Sequence, residues 1–285
     1  MRDKMKWSVS AATALALTVL LAASSNLTVV LAQDDDDHPG SRSGNRTPSC
    51  TNATATGTYG YRMNGIIVGV GPFLVNGIYT HKPDGTMNAD VQLIVGNQSF
   101  PGLGNGTFRT NSDCTGSGKF AAPALNLEVT YNFIVTDGGD QIELLNTNPG
   151  VVLQGISRRI SKPGRVPSCE DGMILGTYGY RLEGSLPGFP NVAGAGILTH
   201  RKDHAHNAVG TLTGADTLSF MGQYAPRALQ GTFKLESNCR GSASYTDSLG
   251  NHINYVFTVV NDGDTLFLQG ADSGTAISGV AQRVQ

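Results

Sequence analysis

The sequence contains a single tryptophan among its 285 residues, Trp7, and only 15% of its residues are charged. Clefts that bind sugars or single-stranded nucleic acids usually rely on large aromatic platforms, and after residue 7 tyrosine would have to supply them alone. Basic residues form no cluster along the chain, which argues against a nucleic-acid partner.

Recognisable catalytic motifs are absent as well. The sequence has no Gly-x-Ser-x-Gly elbow, no phosphate-binding loop, no His-Glu-x-x-His and no Cys-x-x-Cys pair. Hydrolase, kinase and zinc-protease activities are therefore not expected, and no cofactor is predicted.

The first 32 residues have the features of a secretory signal peptide. Basic residues precede an apolar stretch over about residues 11–30, and residues 30–32 (Val-Leu-Ala) form a small-residue cleavage site. A retained membrane anchor is the alternative, because the stretch approaches the roughly 20 residues of a spanning helix. Cleavage predicts a secreted, periplasmic or cell-surface protein with no further membrane contact.

A polar tether is predicted between the signal peptide and the first domain. Residues 33–48 include four consecutive aspartates, Asp34 to Asp37, and show no apolar periodicity. Residues 1–32 hold three basic residues and one acidic residue, so cleavage leaves 17 basic and 21 acidic residues. This negative balance also argues against binding to anionic membranes.

The rest of the chain consists of two copies of one unit. Cys50 and residues 57–62 (Gly-Thr-Tyr-Gly-Tyr-Arg) return 119 positions later as Cys169 and residues 176–181. From Tyr131 onward the second copy follows at a constant offset of 124. The repeat predicts one domain at 49–160, a proline-containing linker at 161–167 and a second domain at 168–285.

The four cysteines are an even number in a secreted context and allow three disulfide connectivities. The repeat favours Cys50 with Cys114 and Cys169 with Cys239, because this pairing puts one bridge in each copy. Each bridge would stabilise its domain by about 4 kcal/mol on the chain-entropy account.

Each copy is predicted to contain about eight short strands. Alternating residues and regularly spaced turns place those of the first copy at 57–65, 75–81, 88–95, 105–111, 116–121, 127–136, 141–147 and 150–159. Closing such a meander into a barrel removes both of its unpaired edges. We therefore predict an all-β protein of two tandem, homologous, roughly eight-stranded antiparallel β-barrels, with β-sandwiches as the alternative.

The repeated motifs carry a family resemblance. Gly-Thr-Tyr-Gly-Tyr-Arg, Gly-Thr-Phe at 106–108 and 231–233, Cys-x-Gly-Ser, and the closing glycines Gly150 and Gly155 resemble secreted bacterial tandem-repeat β-barrel proteins of mostly unassigned function. The resemblance covers nearly all of residues 49–285. The chain is also similar to calycins and allene oxide cyclases, but in architecture only, because the Gly-x-Trp motif of lipocalins is missing.

Residues of the first strand of each copy are the candidates for ligand binding. Tyrosines on the core face could line a cavity and offer hydroxyls in an apolar wall, or could be plain core residues. Arginines on the opposite face could hold a ligand carboxylate or cover apolar neighbours at a surface or interface. The candidates are Tyr59, Tyr61, Arg62, Tyr178, Tyr180 and Arg181.

The histidines suggest weaker candidates. His81 and His200 occupy the same place in both copies, and the two interpretations are a general base or ligand donor and a rim side chain that caps a turn. His200, His204 and His206 are close enough in sequence to suggest a metal site. The first copy has no equivalent of His204 or His206, so a polar loop is the favoured interpretation and no metal is predicted.

Three functions remain open from the sequence. The preferred hypothesis is a non-catalytic two-barrel protein that binds a small apolar or amphipathic ligand. The alternatives are a structural or adhesin-like protein with filled barrels, and a cofactor-free isomerase or cyclase using His81 or His200. The two repeats are expected to pack on each other, and fused copies of a two-fold dimer would do so about a pseudo-two-fold axis.

Overall fold

The chain folds into two closed antiparallel barrels of eight strands each, described by a computed structural model for residues 49–96, 98–123, 126–161, 165–203 and 210–284. The first barrel consists of β1 (Gly57–Ile67), β2 (Gly71–His81), β3 (Thr86–Val95), β4 (Gln98–Thr110), β5 (Thr115–Ala122), β6 (Leu127–Thr136), β7 (Gln141–Asn146) and β8 (Val151–Ser161). The second consists of β9 (Gly176–Leu186), β10 (Phe189–Arg201), β11 (Gly210–Phe220), β12 (Gln223–Leu235), β13 (Arg240–Asp247), β14 (His252–Val260), β15 (Thr265–Gly270) and β16 (Ala276–Arg283).

Every strand pairs with its neighbours in sequence, and the last strand of each barrel pairs with the first. The β8 strand closes on β1 and the β16 strand closes on β9, so neither sheet has a free edge. The predicted pair of eight-stranded barrels is therefore confirmed. The main boundary difference is β4, which begins at Gln98 rather than near residue 105 because its glycine- and proline-containing start pairs with β3.

Alternation along the strands produces two separate cores. Tyr59, Tyr61 and Met63 of β1 point inward and are buried, as alternate residues of an antiparallel strand must be when one face meets a core. Tyr178 and Tyr180 do the same in β9. Aromatic and aliphatic side chains from all strands complete each interior.

Both predicted disulfides are present. Cys50 is bonded to Cys114, and Cys169 is bonded to Cys239. Each bridge ties the segment before the first strand to the turn before the fifth strand. The bridges therefore lie at the same end of their barrels, called here the sealed end.

The two barrels contact each other through different faces. The outer side of β1–β3 in the first barrel, together with β8, packs on the outer side of β14–β16 in the second. At its centre, the buried Asn76 carboxamide donates to the Phe267 carbonyl oxygen (2.9 Å) and accepts from the Thr258 hydroxyl (2.6 Å). Because β14–β16 correspond to β6–β8, this contact is not the pseudo-two-fold arrangement that a fused dimer would give.

Close approach of the barrels requires a glycine at position 60. A Cβ atom there would lie 2.4 Å from a Val260 methyl carbon and 2.6 Å from a Thr258 methyl carbon. An ion pair between Arg240 and Asp90 adds a charged contact beside the apolar one.

Several predictions concern parts of the chain outside the described residues. The signal peptide (1–32), the tether (33–48) and the histidines His204 and His206 all lie there. Among the described residues, no helix is long and apolar enough to cross a membrane.

Candidate functional site

The sealed end is closed by the same tyrosine–arginine arrangement in both barrels. In the first, the Tyr59 hydroxyl donates to the Gly139 carbonyl oxygen (2.6 Å), and the Arg159 guanidinium lies 4.9 Å from the Tyr59 ring centre. Arg159 also donates to the carbonyl oxygens of Thr54 and Thr56 in the preceding segment. This end of the barrel is thus closed by a cation on an aromatic ring and by backbone hydrogen bonds.

The second barrel repeats this arrangement residue by residue. The Tyr178 hydroxyl donates to the Gly263 carbonyl oxygen (2.6 Å), and Arg283 lies 5.0 Å from the Tyr178 ring centre. Arg283 donates to the Leu175 carbonyl oxygen (2.6 Å). Tyr59 and Tyr178, two of the candidate ligand residues, are placed in these closures rather than in a cavity wall.

The two paired histidines lie inside the sealed ends. His81 is 1% exposed, its Nδ1 lies 3.1 Å from the Ala55 carbonyl oxygen, and its ring stacks on Phe108 with centroids 3.8 Å apart. Burial lowers the pKa of His81 to about 3. Burial, with the nearby Arg283 charge, lowers the pKa of His200 to about 4. Both imidazoles are therefore neutral near pH 7, and neither lines the cavities described next.

The interior of the first barrel is almost filled. Its cavity measures about 40 Å³ and is lined by apolar and tyrosine side chains, including Tyr61, Met63 and Phe73. The Tyr131 hydroxyl in this lining donates to the Met87 sulfur (3.0 Å). An apolar cavity known to bind benzene has a volume of about 150 Å³, so the first interior is too small for such a ligand.

The second barrel has a larger cavity, of about 300 Å³, at the end opposite its seal. Its walls are apolar side chains such as Leu182, Leu218 and Leu268, and its rim includes the exposed Asn251 and Asn254. Phe73, which lines the first cavity, is replaced by the smaller Val192 in the second copy. We call this cavity the mouth of the second barrel.

A buried charged network forms one wall of the mouth. The Arg227 guanidinium donates from Nε to one oxygen of Asp216 (2.9 Å) and from a terminal nitrogen to the other (2.6 Å). The same Asp216 carboxylate accepts from the Tyr180 hydroxyl (2.5 Å). The Arg227 and Asp216 side chains are 5% and 0% exposed, so this bidentate pair is a buried one.

A second carboxylate connects the network to the rim. Arg227 donates to Asp247 (3.2 Å), and Asp247 also accepts from the backbone N–H groups of Leu249 and Asn251. Burial alone would raise the pKa of Asp247, but hydrogen bonds from Asn251, Leu249 and Arg227 outweigh it and lower the pKa. Asp247 is thus an anion that fixes both the rim turn and the Arg227 side chain.

The network belongs to the second copy alone. Gly196 and Gly77 are corresponding residues of the two copies. Asp216 is paired with Gly196, and Val91 is paired with Gly77, so Asp216 stands where the first copy has Val91. In the same way Arg227 stands where the first copy has Gly102. Asp247 and Ala122 are the last residues of corresponding strands, and Tyr245 stands where the first copy has Phe120.

The acidities of the lining groups follow from burial and from the network. Burial opposes the charge of Arg227, but hydrogen bonding to Asp216 and its negative charge raise the pKa of Arg227 above its ordinary value. Burial and the hydrogen bond to Asp216 raise the pKa of Tyr180. Burial raises the pKa of Tyr245 to about 12 against the opposing charge of Arg227. None of these three groups changes its protonation state near pH 7.

Two polar groups among the residues that line the mouth, the Tyr255 hydroxyl and the Gln269 side-chain oxygen, have no hydrogen-bond partner in the described part of the chain. The Tyr255 side chain is buried, its ring lies edge-on to Tyr245 with centroids 5.8 Å apart, and its hydroxyl makes no hydrogen bond. Burial raises the pKa of Tyr255, so the hydroxyl stays protonated and is a donor. Leaving such a group unsatisfied costs about 1–3 kcal/mol.

The remaining candidate residues lie elsewhere. Tyr61 lines the small first cavity, whereas Tyr180 binds the charged network. Arg62 and Arg181 project outward from their barrels, and Arg62 lies 6.0 Å from the Phe267 ring centre of the other barrel. Neither arginine faces a barrel interior, because both sit on the face of their strand opposite the tyrosines. Among the described residues, no group of three or more His, Cys, Asp or Glu side chains could hold a metal ion.

Residues Asp216, Arg227, Asp247 and Tyr255 were not singled out from the sequence. Asp216, Arg227 and Asp247 stand at positions where the two copies differ, whereas Tyr255 has a counterpart in Tyr131. A usable signal existed, because Asp216 and Arg227 fall at inward positions of alternating strands, where a charge must be paired.

No protein-family model and no curated protein matches the chain. A de novo designed fluorescence-activating β-barrel is similar at 16% identity and a TM-score of 0.33, covering 40% of this chain and 96% of that chain. Kievitone hydratase from Nectria haematococca is similar at 9% identity and a TM-score of 0.28, covering 84% and 94%. A DUF3598-family protein of unknown function from Nostoc punctiforme has 10% identity and a TM-score of 0.24, covering 81% and 97%. These similarities concern the β-barrel architecture and carry no argument about function.

Proposed function

We propose that the protein is a non-catalytic binding protein that holds one small amphipathic molecule in the mouth of its second barrel. The observation that carries the proposal is the buried Tyr255 hydroxyl, which lacks a partner beside a cavity of about 300 Å³. Ligand cavities have volumes of about 300–1,000 Å³, mostly apolar walls and a few fixed polar groups. The mouth meets this description at the lower end of the size range.

The polar groups of the mouth define the class of ligand. A ligand oxygen that accepts from the Tyr255 hydroxyl would remove the cost of the unsatisfied donor. The apolar walls at Leu182, Leu218 and Leu268 suit a hydrocarbon or aromatic body. A compact, largely apolar molecule carrying a carbonyl, carboxylate or phenolic oxygen fits both requirements.

The acidities of the lining groups favour binding over acid–base chemistry. A general acid or base works best when its pKa lies near the operating pH. Arg227, Tyr180 and Tyr245 have raised pKa values, and that of Asp247 is lowered, so each keeps one protonation state at neutral pH. The paired histidines are buried in the sealed ends and do not reach the mouth.

The first barrel fits the alternative hypothesis of a filled, structural barrel, but the second barrel does not. Its cavity of about 40 Å³ and its apolar lining suit a rigid, filled element that carries the second barrel. We propose that the first barrel has a structural role and that the second barrel binds the ligand.

A location outside the cytoplasm is part of the proposal. Two disulfides form and persist in oxidising compartments, which supports a secreted, periplasmic or cell-surface protein.

Native mass spectrometry of the protein purified from its own host tests the proposed function. We expect a mass increase of one small molecule per chain, which organic extraction removes and recovers. Tyr255→Phe should reduce retention of this molecule, because the ligand oxygen loses its donor. Tyr131→Phe alters the corresponding residue of the first barrel and should leave retention unchanged.

Two results would contradict the proposal. One is a chain that carries no bound molecule and binds none from host extracts. The other is equal loss of the ligand in the Tyr255→Phe and Tyr131→Phe proteins, which would place it outside the second barrel.

A further inference from the structure

The contact between the two barrels joins two different faces of the repeated unit. We call the outer side of the first three strands of a barrel its front face, and the outer side of the last three strands its back face. The front face of the first barrel (β1–β3) covers the back face of the second (β14–β16). The back face of the first barrel (β6–β8) is only partly covered, because β8 contacts β14 and the turn at 261–263. Outward side chains remain exposed on its uncovered part and on the front face of the second barrel (β9–β11).

The uncovered back face of the first barrel is apolar at three positions that correspond to the internal contact, and carries Glu143 at the position of the buried Phe267. Ile134 corresponds to Thr258, Leu145 to Gln269 and Val152 to Ala276 in the covered face. These three side chains are 51%, 55% and 64% exposed. Ile134 and Leu145 line a surface groove of about 590 Å³ across β6, β7 and β8. The groove is also lined by the polar side chains of Asn132, Glu143 and Gln154, and an exposed apolar patch with a polar rim usually marks an interaction site.

The uncovered front face of the second barrel carries small and apolar side chains on β10 and β11, beside the exposed Arg181 and Glu183 on β9. Ala193, Ala195 and Ala215 are exposed on it, at the positions of Leu74, Asn76 and Asp90 in the covered face. Ile197, which is 52% exposed, corresponds to Ile78, a side chain packed against the core of the second barrel. This face therefore lacks counterparts of the polar Asn76 and Asp90 side chains but keeps a counterpart of Ile78.

We propose that the uncovered front face of one chain docks on the uncovered back face of a second copy of the same chain. The occupant is argued from the internal contact, in which the same two faces of the same repeated unit already pack together. A front-to-back contact is heterologous, since each partner contributes a different surface. Such a contact leaves one free face at each end, so it adds further copies rather than closing a dimer.

The contact between copies should be weaker than the internal one. The Asn76 hydrogen bonds have no counterpart, because Ala195 stands at that position. The Arg240–Asp90 ion pair has none either, since the corresponding residues are Thr115 and Ala215. The association is therefore expected to be reversible and dependent on protein concentration.

Sedimentation velocity over a concentration series tests the proposal on the disulfide-bonded mature chain. The weight-average sedimentation coefficient of the wild-type protein should rise with concentration. Leu145→Lys blocks the back face, and Ile197→Lys blocks the front face, so each variant alone should sediment as a monomer. Leu103→Lys alters a residue that is 71% exposed on β4, outside both faces, and should behave like wild type.

Mixing the two blocked variants separates front-to-back docking from other associations. The Leu145→Lys protein keeps an unblocked front face, and the Ile197→Lys protein keeps an unblocked back face. An equimolar mixture should therefore form a dimer and nothing larger. A wild-type chain that stays monomeric at every concentration overturns the proposal. So does association that Leu145→Lys and Leu103→Lys weaken equally, or dimerisation by a blocked variant on its own. Thermal unfolding of each variant shows whether lost association merely reflects lost folding.

Discussion

The two barrels share one end and differ at the other. At the sealed end, the tyrosine, the arginine and the disulfide repeat closely, as Tyr59 with Arg159 and Tyr178 with Arg283 show. At the opposite end the first barrel is filled by apolar side chains, whereas the second has a mouth with a buried charged network.

This difference shows which positions of a duplicated fold are free to acquire a function. Closure and the core keep the fold, so they are shared by both copies. Charges buried in only one copy have no such role, because the other copy folds with valine, glycine and alanine in their place. The proposed binding cavity thus lies at the end where the copies diverge, although its Tyr255 stands at a position that both copies share.

The largest effect is expected from removing the cation of the charged network. Arg227→Met would leave Asp216 and Asp247 without their shared partner, and breaking a buried pair in this way costs about 3–5 kcal/mol. Urea unfolding followed by tyrosine fluorescence should show this loss in the second barrel.

The double variant Asp216→Val and Arg227→Met is the matched control. It gives the second barrel an apolar wall like that of the first, and should recover most of the lost stability. If the single and double variants are equally unstable, the network is not held together by the pairing of these charges.

A smaller effect, common to both barrels, is expected on acidification. The pKa values of His81 and His200 are lowered to about 3 and 4, while an unfolded histidine titrates near 6.5. The unfolded chain therefore binds more protons below pH 6.5, and stability falls as the pH drops from about 6.5 towards 3. The loss should be on the order of 3 kcal/mol for each histidine by pH 4.

Urea midpoints measured between pH 7 and pH 4 check this dependence. His81→Phe should flatten the pH dependence of the first barrel and leave that of the second, where His200 remains. An unchanged slope in both barrels would mean that the histidines are not the groups responsible.

The smallest effect should be the same in both copies. Tyr59→Phe and Tyr178→Phe each remove one hydroxyl that donates to a glycine carbonyl at 2.6 Å. Each should destabilise its barrel by about 1 kcal/mol, the usual worth of a buried hydrogen bond. Thermal unfolding of the two variants tests the equivalence of the sealed ends, and a loss confined to one variant would break it.

Much of the fold was accessible from the sequence because the repeat supplied independent constraints. The offset between copies selected the disulfides Cys50–Cys114 and Cys169–Cys239 from three possible pairings. Alternation in β1 placed Tyr59 and Tyr61 inward. The start of β4 was missed because its glycines and Pro101 are typical of a loop, whereas pairing with β3 extends it as a strand.

The candidate site was largely not accessible by the same approach. Strand alternation can place Asp216 and Arg227 on inward faces, but only the register of β11 with β12 shows that they are directly paired. The empty volume inside each barrel depends on how side chains from eight strands fill it, and no local sequence pattern predicts that volume. The unsatisfied Tyr255 hydroxyl is likewise a property of the assembled mouth.

The central claim is that the second barrel, and not the first, binds a small molecule. Leu268 and Leu144 are corresponding residues in the two cavity linings, so Leu268→Phe and Leu144→Phe form a matched pair. Titration with an amphipathic anionic naphthalene dye should give one site per chain in wild type and in Leu144→Phe. Leu268→Phe should weaken binding at least tenfold by filling the mouth. Unchanged binding in Leu268→Phe, with loss in Leu144→Phe, would contradict the claim.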